Sequence, residues 1–271
     1  KRGSECTLYF IDAPYIRQLT RDSLKIYNEL NWNWPINPQG LLFQGDSLIV
    51  VSERGLYWYK NPRELELLVG STEVGDADGS AEDARFSFIT TGVWSPDKKS
   101  IYLADYGARK IKQFDISDFS VKTIYGREVP DLPDNPDGTR TLAPRGISVS
   151  RNGKLYVMDN TGRFIYQVNE DGTEEYPDYP EGSDWDEVTD LAWGSYFETD
   201  PFGNHLFAFG RRLYALDTTG NFESIAGNDQ NKAIDGMGDA ASFSSIFSFT
   251  MEEDGTIWVF DNGPDLIRKV D

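Results

Sequence analysis

Cysteine occurs once in this chain, as Cys6, and histidine once, as His205. A lone cysteine forms no intramolecular disulfide, so the redox compartment cannot be read from it. Cys6 opens the apolar run Thr7-Leu8-Tyr9-Phe10-Ile11, where a small buried hydrophobe is the expected role. A nucleophilic thiol would need a base, and only His205 could serve. One histidine is also too few for a multi-histidine zinc site. No apolar run reaches 18 residues, which excludes a membrane-spanning helix. Neither a Gly-x-Ser-x-Gly elbow nor a phosphate-binding glycine loop is present. Basic residues are scarce: 26 Lys and Arg face 45 Asp and Glu, a formal net charge of -19. Such a field repels nucleic-acid phosphates and anionic lipid headgroups, so neither nucleic acid nor direct membrane insertion is expected. It suits solubility first, and also a cationic partner or calcium.

Aromatic residues make up 14% of the chain, beside 25 Gly and 13 Pro. Aromatics with many turn formers point to an all-β protein. A short, nearly all-apolar strand recurs six times, and its copies end at residues 12, 52, 105, 159, 210 and 261. They include Leu48-Ile49-Val50-Val51-Ser52, Ile101-Tyr102-Leu103-Ala104-Asp105 and Ile257-Trp258-Val259-Phe260-Asp261. Continuous apolar runs of this length suit strands buried on both faces. After each copy comes a polar turn and an alternating strand, as in Lys110-Ile111-Lys112-Gln113-Phe114. An outer strand ending in glycine follows, as in Ser224-Ile225-Ala226-Gly227, and an inner strand such as Gly146-Ile147-Ser148-Val149 precedes the next copy. Four strands per repeat of about fifty residues make propeller blades.

Glu82-Asp83-Ala84-Arg85-Phe86, Gly92-Val93, Tyr102-Leu103-Ala104-Asp105 and Arg109-Lys110-Ile111 together resemble the NHL repeat. Gly238-Asp239-Ala240-Ala241-Ser242-Phe243, Trp258-Val259-Phe260-Asp261 and Ile267-Arg268-Lys269 resemble it again. The likeness is weaker in the second and fifth repeats, where Ser52 and Gly210 replace the aspartate. It implies a six-bladed all-β propeller of four-stranded antiparallel blades. The expected single domain spans 1–271, with blades near 1–30, 31–70, 71–126, 127–180, 181–227 and 228–271. Lys1-Arg2-Gly3-Ser4 falls where other repeats turn between inner and second strands. The N-terminal blade is therefore expected to lack its inner strand here, with an upstream segment closing the ring. A five-bladed ring with an extra N-terminal hairpin is the alternative.

Outer-to-inner loops and second-to-third turns share one side of each blade, and function concentrates on loops held by a rigid scaffold. Trp32, Trp34, Tyr179 and Trp185 fall there and could stack on sugar rings or peptide side chains, or plug gaps between blades. Tyr106 lies in the turn that also carries Arg109. Arg54, Arg109, Arg163 and Arg211 recur at similar turns, where guanidinium groups could hold an anion or neutralise nearby acids. The turn aspartates have a structural role as acceptors of backbone N–H groups. Asp76 and Asp78 are weak calcium candidates, because the full EF-hand spacing is missing. Asp190 is the one carboxylate expected at the start of an inner strand. Zinc lyases and calcium-dependent lactonases resemble the fold, but their ligand sets are not legible here. The expectation is a non-catalytic module without cofactor that binds a protein, peptide or glycan. A calcium-dependent tunnel-mouth hydrolase is the alternative. The acidic, aromatic character resembles propellers of Bacteroidota surface proteins, which would imply an exported, lipid-anchored, outer-membrane protein accessory to a nutrient-uptake complex.

Overall fold

The computed structural model describes residues 7–12, 15–20, 23–29, 37–44, 47–61, 64–126, 143–159, 164–169, 174–175, 197–200, 202–252 and 254–270. The chain forms two compact units, residues 1–123 and 124–271. Both are built of antiparallel meanders, the propeller blade motif.

In the first unit, β1 (Thr7–Asp12), β2 (Tyr15–Thr20) and β3 (Ser23–Glu29) form a three-stranded sheet in chain order. Next come β4 (Pro38–Gln44), β5 (Ser47–Ser52), β6 (Gly55–Asn61) and β7 (Glu64–Gly70), also in chain order. The third sheet has β9 (Ile89–Trp94), β10 (Ser100–Asp105), β11 (Lys110–Asp115) and β12 (Ser120–Gly126), with the short β8 (Gly79–Ser80) on its outer edge. The boundary between the units falls within β12.

The second unit holds β13 (Pro144–Val149), β14 (Leu155–Asp159), β15 (Phe164–Val168) and β16 (Glu174–Glu175) as one sheet. Another contains β17 (Phe197–Thr199), β18 (His205–Phe209), β19 (Arg212–Leu216) and β20 (Phe222–Gly227). The last is three-stranded: β21 (Ile246–Met251), β22 (Ile257–Asp261) and β23 (Leu266–Val270). The sheets that start with an inner strand are those led by β4, β9, β13, β17 and β21. The described residues therefore hold five blades, not the expected six. The first sheet falls short because β1 is a second-strand copy, and no inner strand pairs with it among the described residues.

The apolar repeat copies become the second strands. Residues Leu48–Val51 of β5 are buried without interruption, as are Leu103–Asp105 of β10. β5 packs against Ile16 through Leu48 and Val50, and against the third sheet through Ile49 and Val51, which is why its sequence does not alternate. Val51, Leu56, Val69, Phe86, Ile89, Leu103 and Phe114 form one core between two sheets of the first unit. A smaller core there joins Ile16 to Leu48 and Val50, with the Tyr9 and Phe43 rings 4.4 Å apart. In the second unit, Phe197, Phe207 and Leu216 pack with Met158 and Ile165, while Leu213, Phe243 and Phe249 pack with Val259. Truncating one such aliphatic side chain to Ala costs about 2–5 kcal/mol.

The inner-to-second turns share a local device. Ser95 Oγ donates to Asp97 and accepts the Ser100 N–H, closing a turn in which Lys98 has φ 59°. The matching residues elsewhere are Gly153, Gly203 and Gly255, all with positive φ. The left-handed conformation costs an L-residue roughly 1–2 kcal/mol, which glycine avoids.

Two buried titratable groups sit within the second unit. The Glu198 carboxylate on β17 accepts the Met251 N–H of β21 at 2.9 Å, and the Thr250 hydroxyl also donates to it. Burial raises its pKa to about 7. His205 lies edge-on to Tyr156 at 4.6 Å and beside Phe197 at 5.3 Å. Burial lowers its pKa to about 4. Glu198 therefore adds stability below pH 4.5 that is lost as pH rises through 7. His205 does the reverse, losing stability as pH falls from 6.5 through 4. Each slope approaches about 1.4 kcal/mol per pH unit.

Two outcomes are expected in urea titrations. Lys98→Gly should raise stability by up to about 1 kcal/mol; a loss would mean that the lysine side chain matters more than its backbone. The stability of Glu198→Gln relative to the parent should rise between pH 4.5 and 7, and that of His205→Gln should fall between pH 4 and 6.5. A pH-independent difference for either variant would refute its assigned titration.

Candidate functional site

The loop side of a blade is organised by the last residue of its second strand. Asp105, fully buried, accepts the backbone N–H groups of Ser87 at 3.0 Å, Phe88 at 2.9 Å and Ala108 at 3.1 Å. Asp261 accepts from Ser244 and Ser245, and Asp159 accepts from Ala143. Burial raises the Asp105 pKa, and the three amides act against that rise. The turns after Asp105 and Asp261 pack so tightly that a Cβ on Gly107 would lie 2.4 Å from Ser87 Oγ, and one on Gly263 2.2 Å from Ser244 Oγ. Only glycine fits there.

A cation two residues into the third strand completes the arrangement. Lys112 is fully buried on β11, and its Nζ donates to Asp78 at 2.9 Å and to the carbonyls of Ala77 and Arg85 at 3.3 and 3.5 Å. It also pairs with Asp76 at 3.1 Å, and buried Lys110 meets the other Asp76 oxygen at 2.9 Å. In the last blade Arg268 takes the place of Lys112. It donates to the carbonyls of Ile234 and Ser242 at 2.7 and 2.6 Å, and to Asp235 at 2.7 Å. Each cation lies over a phenylalanine, Phe86 or Phe243.

The calcium candidates Asp76 and Asp78 are therefore counter-ions of two buried lysines. Burial raises the Asp78 pKa, but hydrogen bonds from Lys112 and Thr123 outweigh it and lower the pKa overall. A divalent cation would have to displace ammonium groups that have no water to return to. Among the described residues, no group of three or more His, Cys, Asp or Glu side chains could hold a metal ion.

The arginines do not share one role. Arg54 donates to the Thr72 carbonyl and Arg211 to the Ser244 carbonyl, each at 2.9 Å, so both tie a turn to a neighbouring loop. Arg109 has φ 61°, and its N–H bonds the Tyr106 carbonyl. Tyr106 is partly buried, edge-on to Phe88 at 6.4 Å. Trp32, Trp34, Arg163, Tyr179, Trp185 and Asp190 lie outside the described residues.

The sequence reading missed a recurrent bulge. Four inner strands skip one residue where they meet the end of the second strand: Gln39, Thr90, Arg145 and Phe247. A bulge re-aims one side chain out of the ladder. Here it sets a residue that differs from blade to blade beside the end of the second strand. Phe247 is 53% exposed, with Phe260 edge-on at 6.0 Å. A faint signal was present: an apolar residue or proline, one free position, then a small residue, as in Pro144-Arg145-Gly146 and Ile246-Phe247-Ser248.

Solved structures confirm the class. An auxiliary nutrient binding protein from Bacteroides ovatus superposes with a TM-score of 0.65 at 15% identity, covering 98% of this chain and 66% of that one. A chain of a nidogen/laminin complex gives 0.65 at 12%, covering 98% and 89%. A gluconolactonase from Xanthomonas campestris gives 0.61 at 12%, covering 93% and 78%. At these identities the likeness establishes fold alone: the chain is an all-β protein of the β-propeller class. No protein-family model and no curated protein matches the sequence, so the NHL likeness rests on the residues quoted for it.

The buried ion cluster makes a clear expectation. Replacing Asp76 and Asp78 together by Asn should cost about 3–5 kcal/mol, because two buried ammonium groups lose their counter-charges. Adding Lys112→Met should restore part of that loss. Chemical denaturation checks both steps, and a neutral double Asn variant would show that water already screens the lysines.

Proposed function

We propose that this chain is a non-catalytic binding propeller of an exported protein, and that it holds a protein, peptide or glycan on the loop side of its blades. One observation carries the reading: the side chains suited to chemistry are already committed to holding the fold. His205 is buried among aromatic rings and neutral above about pH 4. Asp105 and Asp261 are taken up by backbone amides, and Asp76 and Asp78 by lysines. What the loop side offers instead is variable. Phe247 on its bulge is one exposed anchor, and Trp32, Trp34, Arg163, Tyr179 and Trp185 join it on sequence grounds. Aromatic and arginine anchors dominate binding energy where they are buried by a partner.

The Bacteroides ovatus structure, named as an auxiliary nutrient binding protein, supports the same class of role. On that reading the protein is exported, lipid-anchored at the outer membrane and part of a nutrient-uptake assembly. Among the described residues no helix is long and apolar enough to cross a membrane. The gluconolactonase likeness favours the second reading, a metal-dependent hydrolase.

Both readings are open to one experiment in two arms. Glycan and peptide arrays should yield a ligand whose affinity falls at least tenfold in Phe247→Ala combined with Trp34→Ala and Trp185→Ala, with the thermal midpoint unchanged. Hydrolysis of δ-gluconolactone with calcium, manganese or zinc should stay at the buffer rate. Metal-dependent turnover would overturn the binding reading in favour of the hydrolase. A collapsed midpoint would make the tryptophans packing residues.

A further inference from the structure

Asparagine followed by glycine occurs twice in this chain, as Asn152-Gly153 and Asn262-Gly263. Asparagine is chemically labile, most of all before glycine, which has no side chain to crowd the attack of its backbone nitrogen. Both pairs sit in exposed turns, but their amides are bonded differently. Asn152 lies in the inner-to-second turn of the β13 blade. Its Oδ1 accepts the Ser150 hydroxyl at 2.5 Å, and the Gly153 N–H donates to the Ser150 carbonyl at 2.9 Å. Ser150 is buried, and its Oγ also accepts the Lys154 N–H. One buried residue thus clamps both reacting groups. For the Gly153 nitrogen to reach Asn152 Cγ, both bonds must break.

Asn262 lies in the second-to-third turn of the last blade, directly after the buried Asp261 cap. Tyr106 matches it in the β9 blade, and Gly107 matches Gly263. In that earlier blade the Gly107 N–H donates to the Phe88 carbonyl at 3.4 Å. In the last blade the matching carbonyl, that of Ser245, accepts the Asn262 N–H instead, at 2.8 Å. The Gly263 N–H and the Asn262 carboxamide are left without a hydrogen-bond partner among the described residues. The glycine is fixed by packing, since a Cβ there would lie 2.2 Å from Ser244 Oγ. The asparagine is not, since the same turn accepts a tyrosine in the β9 blade. The fold therefore demands the glycine and leaves its nitrogen unguarded.

We propose that Asn262 is a site of spontaneous deamidation, and that the fold protects Asn152 from the same reaction. Water is the only co-reactant. The Gly263 nitrogen gives its proton to water and forms a bond to Asn262 Cγ. The Cγ–Nδ2 bond breaks, and the amide nitrogen takes a proton back and leaves as ammonia. Water then opens the succinimide ring at one of its two carbonyls. One opening gives aspartate, and the other gives isoaspartate, in which the main chain runs through the side-chain carbons. Nothing is oxidised or reduced. Because the nitrogen must first lose its proton, the rate rises with pH. The product places a second carboxylate directly after the Asp261 cap, on the loop side of the blade. The inference goes beyond the proposed binding function and uses none of its anchors, so the two can fail separately.

The test is to incubate the folded 271-residue protein in mildly alkaline buffer, with a parallel sample in concentrated urea, and to map both by mass spectrometry of their peptides. An isoaspartyl methyltransferase marks the isoaspartate product. In urea the two sites should react at similar rates, because glycine follows asparagine in both. In the folded protein Asn262 should react at least about tenfold faster than Asn152. Asn262→Gln should abolish the modification there, because the longer side chain does not close a succinimide. Ser150→Ala should release Asn152 and raise its rate several-fold while leaving Asn262 unchanged, and the thermal midpoint shows whether that variant remains folded. Equal rates at the two sites in the folded protein would overturn the proposal. So would an Asn262 that reacts in urea and not in the folded chain. A folded Ser150→Ala protein in which Asn152 stays inert would overturn the protective role of the clamp.

Discussion

The fold depends on putting charge inside a β-sheet protein and satisfying it there. At the loop end of a blade, an aspartate closing the second strand gathers backbone N–H groups from the approach to the inner strand. A cation on the third strand gathers carbonyls from the same loop. Unpaired, either group would cost several kcal/mol to bury. Together they fix a long polar loop that has little apolar surface of its own. Asp105 with Lys112, and Asp261 with Arg268, do this with different cations and the same acceptors.

That constraint separates scaffold from display. In the two blades that carry all of them, the capped aspartates, the glycines against Ser87 and Ser244, and the buried cations together hold the loop. The bulged residues differ: Gln39, Thr90, Arg145 and Phe247 share a backbone position and no chemistry. A rigid frame with such a differing side chain in four of its blades is suited to recognition. The same frame supports enzymes when the displayed residues are metal ligands, so fold alone does not decide function.

The strands were legible because their cause is local. Second strands buried on both faces must be apolar throughout, and runs such as Leu48–Val51 say so directly. The blade count was read less well. The six apolar copies are all strands, yet a blade needs an inner strand, and the first copy lacks one among the described residues. The lysine partners of the calcium candidates Asp76 and Asp78 were hidden for a different reason. Carboxylates at alternate positions look alike whether their partner is a metal or an ammonium group. The partners, Lys110 and Lys112, lie more than thirty residues further along the chain.

By itself the sequence determined the all-β class, the repeat, the second-strand cores and the capping role of the turn aspartates. Each of these follows from side-chain periodicity or from hydrogen bonds reaching only to the adjoining strand and loop. Only the tertiary structure decided which carboxylates are neutralised, which arginines are tied to backbone carbonyls and which residue each bulge displays. Those outcomes depend on where a neighbouring strand lies, and no residue carries that information within its own segment.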